Sequence, residues 1–590
     1  MLHIKNNPID TLFALLFIAT PLYTYYFLIN SEMYWVLVLS LWLLTKVLLH
    51  PLPKIRLQRF DVVVGLLFVY SLLNFLFLSD TAPSYIRLWV FVGVFFCFYL
   101  FRWLLFSNRR FWFLFFLAGT LFVALLEGGI AFAQHLELTN SRNPYFQMTG
   151  TFFSPNFLGA YLGLGMLSNF ALSRLIKPKN KQWIAMQIFL GLFLGVLLFA
   201  TASRAAWLAL VCSAIFWWVS SKKKGTILKK YSRKTKILFG IFGILTVMGS
   251  AKFLYQLNPD SVNGRTFIAK ITLCELSKKP LTGEGLFSFP RAYNRAKSNY
   301  FTSQKRPWKE VKIANFSSNP FNDYLLMLFE LGGIGLLLML ILFVGLFYKT
   351  PLCKETRFGM CFAINIAVLT LFSSPLTSPE LFNMGLFAAA LLVSSKETPP
   401  LKLPNLHFLC FSVLLTSSLL GCYFSCKKIE SRSRLKKHLD RKKRLGAEEL
   451  KRAYTYLENN TTATYYLGKS LTKLGHSKEG LLLMEKGFSK CVIPSIGEEL
   501  AFKHLDNGNY KRAEEIFRFN IGLEPFRYAP KMNLLHLLQM TNNKEQQKIL
   551  AEEILNFPVK IPSPRVNSFK KECRDLLASF EKSNQKTKND

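Results

Sequence analysis

The sequence predicts an all-α, polytopic membrane helix bundle of about 12–13 spans, with a large extracytoplasmic loop and a C-terminal α-solenoid-like domain. Three observations lead there. Of the 590 residues 51% are hydrophobic and 15% aromatic, with 56 Phe, well above the apolar content of soluble domains. Apolar runs long enough to cross a hydrocarbon core of ~30 Å recur along most of the first 424 residues. After Tyr423 the pattern changes to polar, amphipathic helices.

Taken in order, the runs fall near 11–30, 33–50, 61–79, 86–106, 111–134, 150–172, 183–201, 204–220 and 236–253. After a polar gap they resume near 322–348, 357–373, 379–395 and 405–424. The connections alternate in charge. Lys54/Arg56/Arg59, Arg109/Arg110, Arg174/Lys177/Lys179/Lys181 and the run Lys222–Lys236 share one side, while 30–32, 80–85, 135–148, 201–203 and 374–378 carry few cations. Because Lys and Arg are retained in the cytoplasm, the first set and the N-terminus are expected inside. The alternation then carries the polar stretch 254–320 outside.

The net charge of +38 would suggest nucleic acid in a soluble chain. Here it falls mostly between apolar runs, where it sets topology, so no nucleic-acid partner is expected. The ten Cys form no CxxC pair and no cluster with metal-ligand spacing. Neither a disulfide framework nor a metal site is expected, and no cofactor.

The organisation is read as N-terminal membrane helices over 1–253, the loop over 254–320 and C-terminal membrane helices over 321–424. A basic linker follows over 425–446, then a helical domain and tail over 447–590. In that last part Leu474-Gly475 and Asn507-Gly508 lie 33 residues apart, close to the tetratricopeptide period. Gly508-Asn509-Tyr510, Ala513, Phe517 and Pro525 fill the turn, small, aromatic and terminating positions. An earlier copy has Gly480 and Met484 in the small and aromatic places. Two or three such repeats would present a surface for a protein partner. Thirteen spans would put this domain outside, whereas the basic cluster Lys427–Arg444 pulls toward the inside.

Polar and ionisable residues at membrane helix ends mark candidate chemistry. In Ser154-Pro155-Asn156 the proline breaks the backbone ladder, and Asn156 is placed either to satisfy a freed group or to contact a ligand. In the short turn Thr201-Ala202-Ser203-Arg204, Arg204 is a cation at the hydrocarbon edge, suited to pair with phosphate. Snorkelling to lipid headgroups is the competing reading. The loop carries Arg265 near its start, then Arg291, Arg295, Lys297, Lys305 and Arg306 among Tyr293, Tyr300 and Phe301. Cations between aromatic faces suit diphosphates and sugars, although most of the later ones read equally as a solvated face. A cation-rich loop between membrane helices points to an anionic, lipid-borne substrate.

The order of these pieces resembles the O-antigen ligase/polymerase superfamily of inner-membrane glycosyltransferases. The residues carrying the resemblance are Ser154-Pro155-Asn156, Ser203-Arg204, Gly264-Arg265, Pro280-Leu281-Thr282-Gly283-Glu284-Gly285, Asn322-Asp323-Tyr324-Leu325 and Glu330-Leu331-Gly332-Gly333-Ile334-Gly335. It covers roughly residues 145–350 by motif. One position departs: the family's loop-terminal His, a catalytic base in ligases, falls at Phe321, and no His lies in the loop.

The resemblance implies a multi-pass protein of the bacterial inner membrane. It would take a glycan from undecaprenyl diphosphate to an acceptor, either lipid A–core or protein, or to a second lipid-linked glycan in a polymerase. Membrane lipids surround it, and its chemistry needs no metal. Arg204 and Arg265 would stabilise the departing diphosphate with Arg291 in support. Asp323 or Glu284 would take the acceptor proton. Asn322, Asn156 and Tyr324 would contact substrate. A multi-span transporter or flippase, and a scaffold whose site has decayed, are the competing readings.

Overall fold

The computed structural model describes residues 8–22, 31–49, 58–79, 85–176, 180–221, 259–396, 406–439, 446–455 and 461–589. The predicted span near 236–253, the run Lys222–Lys236 and loop residues 254–258 lie outside the described residues. Among the described residues every regular element is helical, as the sequence predicts.

The first elements are α1 (Pro8–Ile18), α2 (Ser31–Leu49), α3 (Arg59–Leu78) and α4 (Tyr85–His135). Within the predicted span 11–30, α1 stops at Ile18, residues 20–22 are again helical, and residues 23–30 lie outside the described residues. Buried charges tie this group together. Asp10 accepts from Trp42 Nε1 at 2.9 Å and pairs with Lys46, while Asp61 accepts the Gln58 N–H at 2.6 Å and pairs with Arg102. Each carboxylate is thereby partnered, as burial demands. The predicted spans 86–106 and 111–134 are the two halves of α4, which doubles back at non-helical Asn108 (φ −156°, ψ 88°) so that the Phe101 and Phe116 rings meet at 5.1 Å. The Asn108 side chain restarts the helix by accepting the Phe111 N–H at 3.1 Å.

Next come α5 (Pro155–Leu175), α6 (Lys181–Ala200) and α7 (Arg204–Ser221). Pro155 occupies the first helical turn, where its missing N–H has no partner to lose. The loop, read from sequence only as a polar stretch, folds into α8 (Pro259–Leu276), α9 (Phe289–Ser303) and the one-turn α10 (Trp308–Val311). Helices α11 (Asp323–Phe347), α12 (Lys354–Phe372) and α13 (Pro379–Ser394) return to the bundle. Among the described residues seven helices, α2, α3, α4, α6, α7, α11 and α12, are long and apolar enough to cross a membrane. Aromatic packing fills the interior: Phe387 stacks on Phe116 with centroids 4.0 Å apart and meets Phe101 edge-on at 5.3 Å. Phe189, Val196, Phe199 and Val211 on α6 and α7 are exposed, as lipid-facing residues would be.

The two glycine motifs form one clasp. Glu284 and Gly285 donate backbone N–H groups to Phe329 O (2.9 Å) and Glu330 O (3.0 Å), and Gly333 donates to Pro280 O (2.9 Å). The exchange is possible because α11 opens at Gly332 (φ 66°, ψ −170°), freeing carbonyls that an unbroken helix would use. A Cβ on Gly283 would stand 2.6 Å from Glu330 O, and one on Gly332 would strike the Leu281 carbonyl. Helix α3 pins the clasp: Asn74 donates to Thr282 O (2.7 Å) and accepts the Leu286 N–H (2.8 Å), while Tyr70 donates to Leu331 O (2.7 Å). Buried Glu330 accepts the Phe289 N–H at 3.2 Å, capping α9. Gly332→Ala is expected to remove folded protein, costing more than about 3 kcal/mol from strain plus backbone overlap. Gly264→Ala, whose Cβ would meet nothing within 4 Å, is expected to behave as wild type. Size-exclusion yield of the purified chain reads both.

Helix α14 (Leu406–Leu439) runs without a break across the predicted boundary between span and linker at 424/425. Phe424 packs on Trp89, near the start of α4, at 6.2 Å. The end of α3 reaches the loop, Ser79 donating to Leu286 O at 3.0 Å. Six residues join α3 to α4, a reach of about 20 Å that cannot recross a hydrocarbon core of ~30 Å. Helix α4 therefore starts, and α14 leaves the bundle, at the loop end.

The C-terminal helices are α15 (Ala447–Tyr454), α16 (Thr461–Lys473), α17 (Ser477–Cys491), α18 (Pro494–Asp506), α19 (Tyr510–Leu523), α20 (Tyr528–Met540), α21 (Lys544–Asn556) and α22 (Pro564–Asn589). Helices α16/α17, α18/α19 and α20/α21 form successive hairpins. Their turns carry left-handed residues at Gly475, Gly508 and Asn542, spaced by 33 and 34 residues. Gly480 is small because its Cβ would stand 2.6 Å from Gly468 O, and Met484 and Phe517 are both fully buried.

This domain sits on the loop. Ser298 of α9 donates to Phe519 O at 2.7 Å, Arg295 donates to Ser489 O at 3.1 Å, and Trp308 meets Phe557 edge-on at 5.4 Å. A Cβ on Gly522 would come within 2.5 Å of Ser298 O, so the chains touch backbone to backbone. Loop and C-terminal domain thus lie on the same side of any membrane crossing the bundle, whichever side the basic residues Lys427 and Lys428 would favour alone.

Lys297 is fully buried at this interface and donates to Asn315 O at 2.7 Å. Burial pushes its ammonium down to about 7, against the pull of Glu524. Between pH 7 and 10 the unfolded chain holds a proton that the fold excludes, so this group's contribution to stability increases as pH rises through that window. It is lost as pH falls through 7. Lys297→Met is expected to raise the midpoint at pH 7 and flatten this pH dependence, read by thermal unfolding of the full chain at pH 6 and 9.

Candidate functional site

At the loop end, four segments distant in sequence meet. The first is the turn between α6 and α7. Thr201 ends α6, Ala202 takes a left-handed φ of 52°, and Arg204 opens α7. Helix α5 packs tightly on this turn, since a Cβ on Gly159 would lie 2.5 Å from Ser203 Cβ. The Ser-Pro-Asn and Ser-Arg motifs are thereby neighbours. The Asn156 backbone N–H is held by Ser154 Oγ at 3.2 Å. Ser203 Oγ is buried and has no hydrogen-bond partner among the described residues.

The second segment is α8, bearing Arg265. Its Nη1 donates to Phe372 O at 2.6 Å and its guanidinium lies 5.4 Å from the centre of the Phe321 ring. Burial lowers the Arg265 pKa below the usual range, and the positive charge of Arg204 lowers it further. The two cations therefore feel each other, and Arg265 makes no ion pair among the described residues. Held like charges cost free energy unless an anion lies between them.

The third segment, 319–325, is fixed at several points. Asn319 Oδ1 accepts the Phe321 N–H at 3.1 Å, and Asn322 Oδ1 caps α11 by accepting the Leu325 N–H at 2.9 Å. Tyr324 donates to Ala367 O at 3.2 Å, tying α11 to α12. Asp323 is 2% exposed; its Oδ2 accepts the Leu376 N–H at 3.0 Å, while Oδ1 has no partner among the described residues. The fourth segment, the turn from Phe372 to Ser378, supplies the Phe372 carbonyl, the Leu376 amide and Ser374, whose hydroxyl donates to Asn319 Oδ1 at 3.4 Å. Helices α7 and α12 align this turn with Arg204: Ser213 donates to Cys361 O at 3.1 Å, deeper in the bundle.

The structure thus brings Arg204, Arg265, Asn322, Asp323 and Tyr324 to one end of the bundle. Two expected site residues lie elsewhere. Glu284 belongs to the clasp, 3.4 Å from Lys279, and Arg291 on α9 lies close enough to Lys490 of the C-terminal domain for their charges to interact. Most of the later loop cations serve packing. Arg306 stacks 3.8 Å above the Tyr300 ring, and Lys270 pairs with Glu310 at 2.6 Å. Asn319, Phe372 and Ser374 carry no sequence signal as site residues, because Phe372 acts through its backbone carbonyl and small polar side chains are common at helix ends.

Fold and site together define a polytopic membrane protein with two guanidinium groups converging where a folded loop meets the helix ends. Residues 189–340, from within α6 to within α11, match the Wzy_C family, O-Antigen ligase. This region of the chain is therefore similar to the O-antigen ligase superfamily, and it holds Arg204, Arg265, Glu284, Arg291, Asn322, Asp323 and Tyr324 but not Asn156. No curated protein and no solved structure matches the chain.

Proposed function

We propose that the chain is an inner-membrane glycosyltransferase of O-antigen ligase type, moving a glycan from undecaprenyl diphosphate to an acceptor hydroxyl on lipid A–core or protein. The observation that carries this reading is the convergence of Arg204 and Arg265, two cations held within each other's field, with Arg265 beside the half-exposed Phe321 ring. A diphosphate resolves that repulsion with charge-assisted, bidentate hydrogen bonds.

In the reaction the acceptor oxygen bonds to the anomeric carbon as the bond from that carbon to the diphosphate oxygen breaks. The electron pair leaves with the diphosphate, where the guanidinium groups stabilise it more strongly than in the ground state. The acceptor proton passes to Asp323 Oδ1, the carboxylate oxygen without a partner among the described residues. Asn322 caps α11 and Tyr324 holds this segment against α12, and Asn156 lies on the neighbouring turn. A polymerase would use the same chemistry with a second lipid-linked glycan as acceptor. The hairpins of the C-terminal domain are read as tetratricopeptide-like, and they brace the loop through α9.

The reading is tested by reconstituting the full chain with an undecaprenyl-diphosphate-linked glycan and an acceptor. Free undecaprenyl diphosphate should appear one for one with transferred glycan. Translocation of the lipid without cleavage would overturn the proposal in favour of a flippase.

A further inference from the structure

Phe321 stands at a constrained point of the site, and its packing does not explain it. Its backbone takes the left-handed φ of 54°, an unfavourable conformation for a bulky side chain. Such strain is ordinarily offset by burial, yet Phe321 is 39% exposed. The surroundings hold the backbone in place: Asn319 accepts its N–H, Asn322 caps the helix that follows, and Asp323 accepts the Leu376 N–H. Ser374 fastens Asn319 in turn. Three side chains thus present one aromatic ring at the surface, 5.4 Å from the Arg265 guanidinium.

We propose that Phe321 is a specificity-determining platform on which the first sugar of the lipid-linked donor stacks. This rests on the glycosyl-transfer reading. That sugar is bonded directly to the diphosphate, so a phosphate held by Arg265 brings the sugar within reach of the ring. The electron-rich face of an aromatic ring attracts the weakly positive C–H face of a pyranose and orients it without accepting a proton. Such a ring selects for a sugar with an apolar face and leaves proton transfer to Asp323.

The test uses the full chain in lipid nanodiscs and two probes, undecaprenyl diphosphate and undecaprenyl-diphosphate-linked N-acetylglucosamine. Phe321→Ala should weaken binding of the sugar-bearing lipid about tenfold, the scale of one stacking contact, and change the sugarless lipid by less than about twofold. Phe321→Trp should keep the preference for the sugar-bearing lipid. Arg265→Ala should weaken both probes together. Equal losses for both probes in Phe321→Ala would show that the ring only supports Arg265, and no loss for either would show it idle; each overturns the platform. Failure of the wild-type chain to bind either probe would overturn the glycosyl-transfer reading beneath it.

Discussion

Arg265→Ala should lower glycan transfer by about two to three orders of magnitude, the cost of removing one preorganised group that stabilises developing negative charge. The fold should survive, because the polar and ring contacts this side chain makes among the described residues are one bond to the Phe372 carbonyl and the approach to the Phe321 ring. Arg204→Ala should show a loss of the same order, and the double variant far less than the product, since both guanidinium groups act on one diphosphate. Arg265→Lys keeps the charge but loses the planar fork, and should recover only part of the rate. Turnover would be followed as release of undecaprenyl diphosphate from proteoliposomes. Undiminished transfer in both alanine variants would exclude the diphosphate clamp.

The second large effect separates the two carboxylates named from sequence. Asp323→Asn should reduce turnover by about two to four orders of magnitude, as loss of a general base does. An amide oxygen can still accept the Leu376 N–H, so the loop end should stay closed. Glu284→Gln should leave turnover near wild type, because Glu284 faces Lys279 at the clasp and its backbone does the structural work there. Measuring both rates at saturating donor decides the matter. Loss in Glu284→Gln with an active Asp323→Asn would reverse the assignment.

Much of this architecture was legible in the chain because hydropathy and helix signals are local. The run 204–220 became α7 almost residue for residue, whereas Pro155, read as breaking the backbone ladder, instead opens α5. The 33-residue spacing in the C-terminal domain was readable because its small residues and left-handed turns are written into sequence positions. The boundary at 424/425 is one of composition and does not end the helix. A helix continues from lipid into water as long as its backbone bonds close, and α14 does so while its composition changes from apolar to basic. The polar loop gave no sign of its helices as membrane runs do, since their buried faces are satisfied by one another and by the C-terminal domain.

By itself, the sequence determined the class of the protein: a bundle of apolar helices, a cationic loop with ordered glycine motifs, and a helical tail. Which cations act together was decided only by the tertiary structure. Arg204, Arg265 and Arg291 are equivalent as residue types, but α7 and α8 bring the first two within each other's field, with Arg265 on the Phe372 carbonyl, while α9 turns the third toward the C-terminal domain. The same holds for Asp323 and Glu284, and for Phe321, whose exposed ring follows from bonds to Asn319 and its tether at Ser374. Periodicity records which face of a helix is buried. The separation between charges on different helices depends on how those helices cross, and long-range contacts set that.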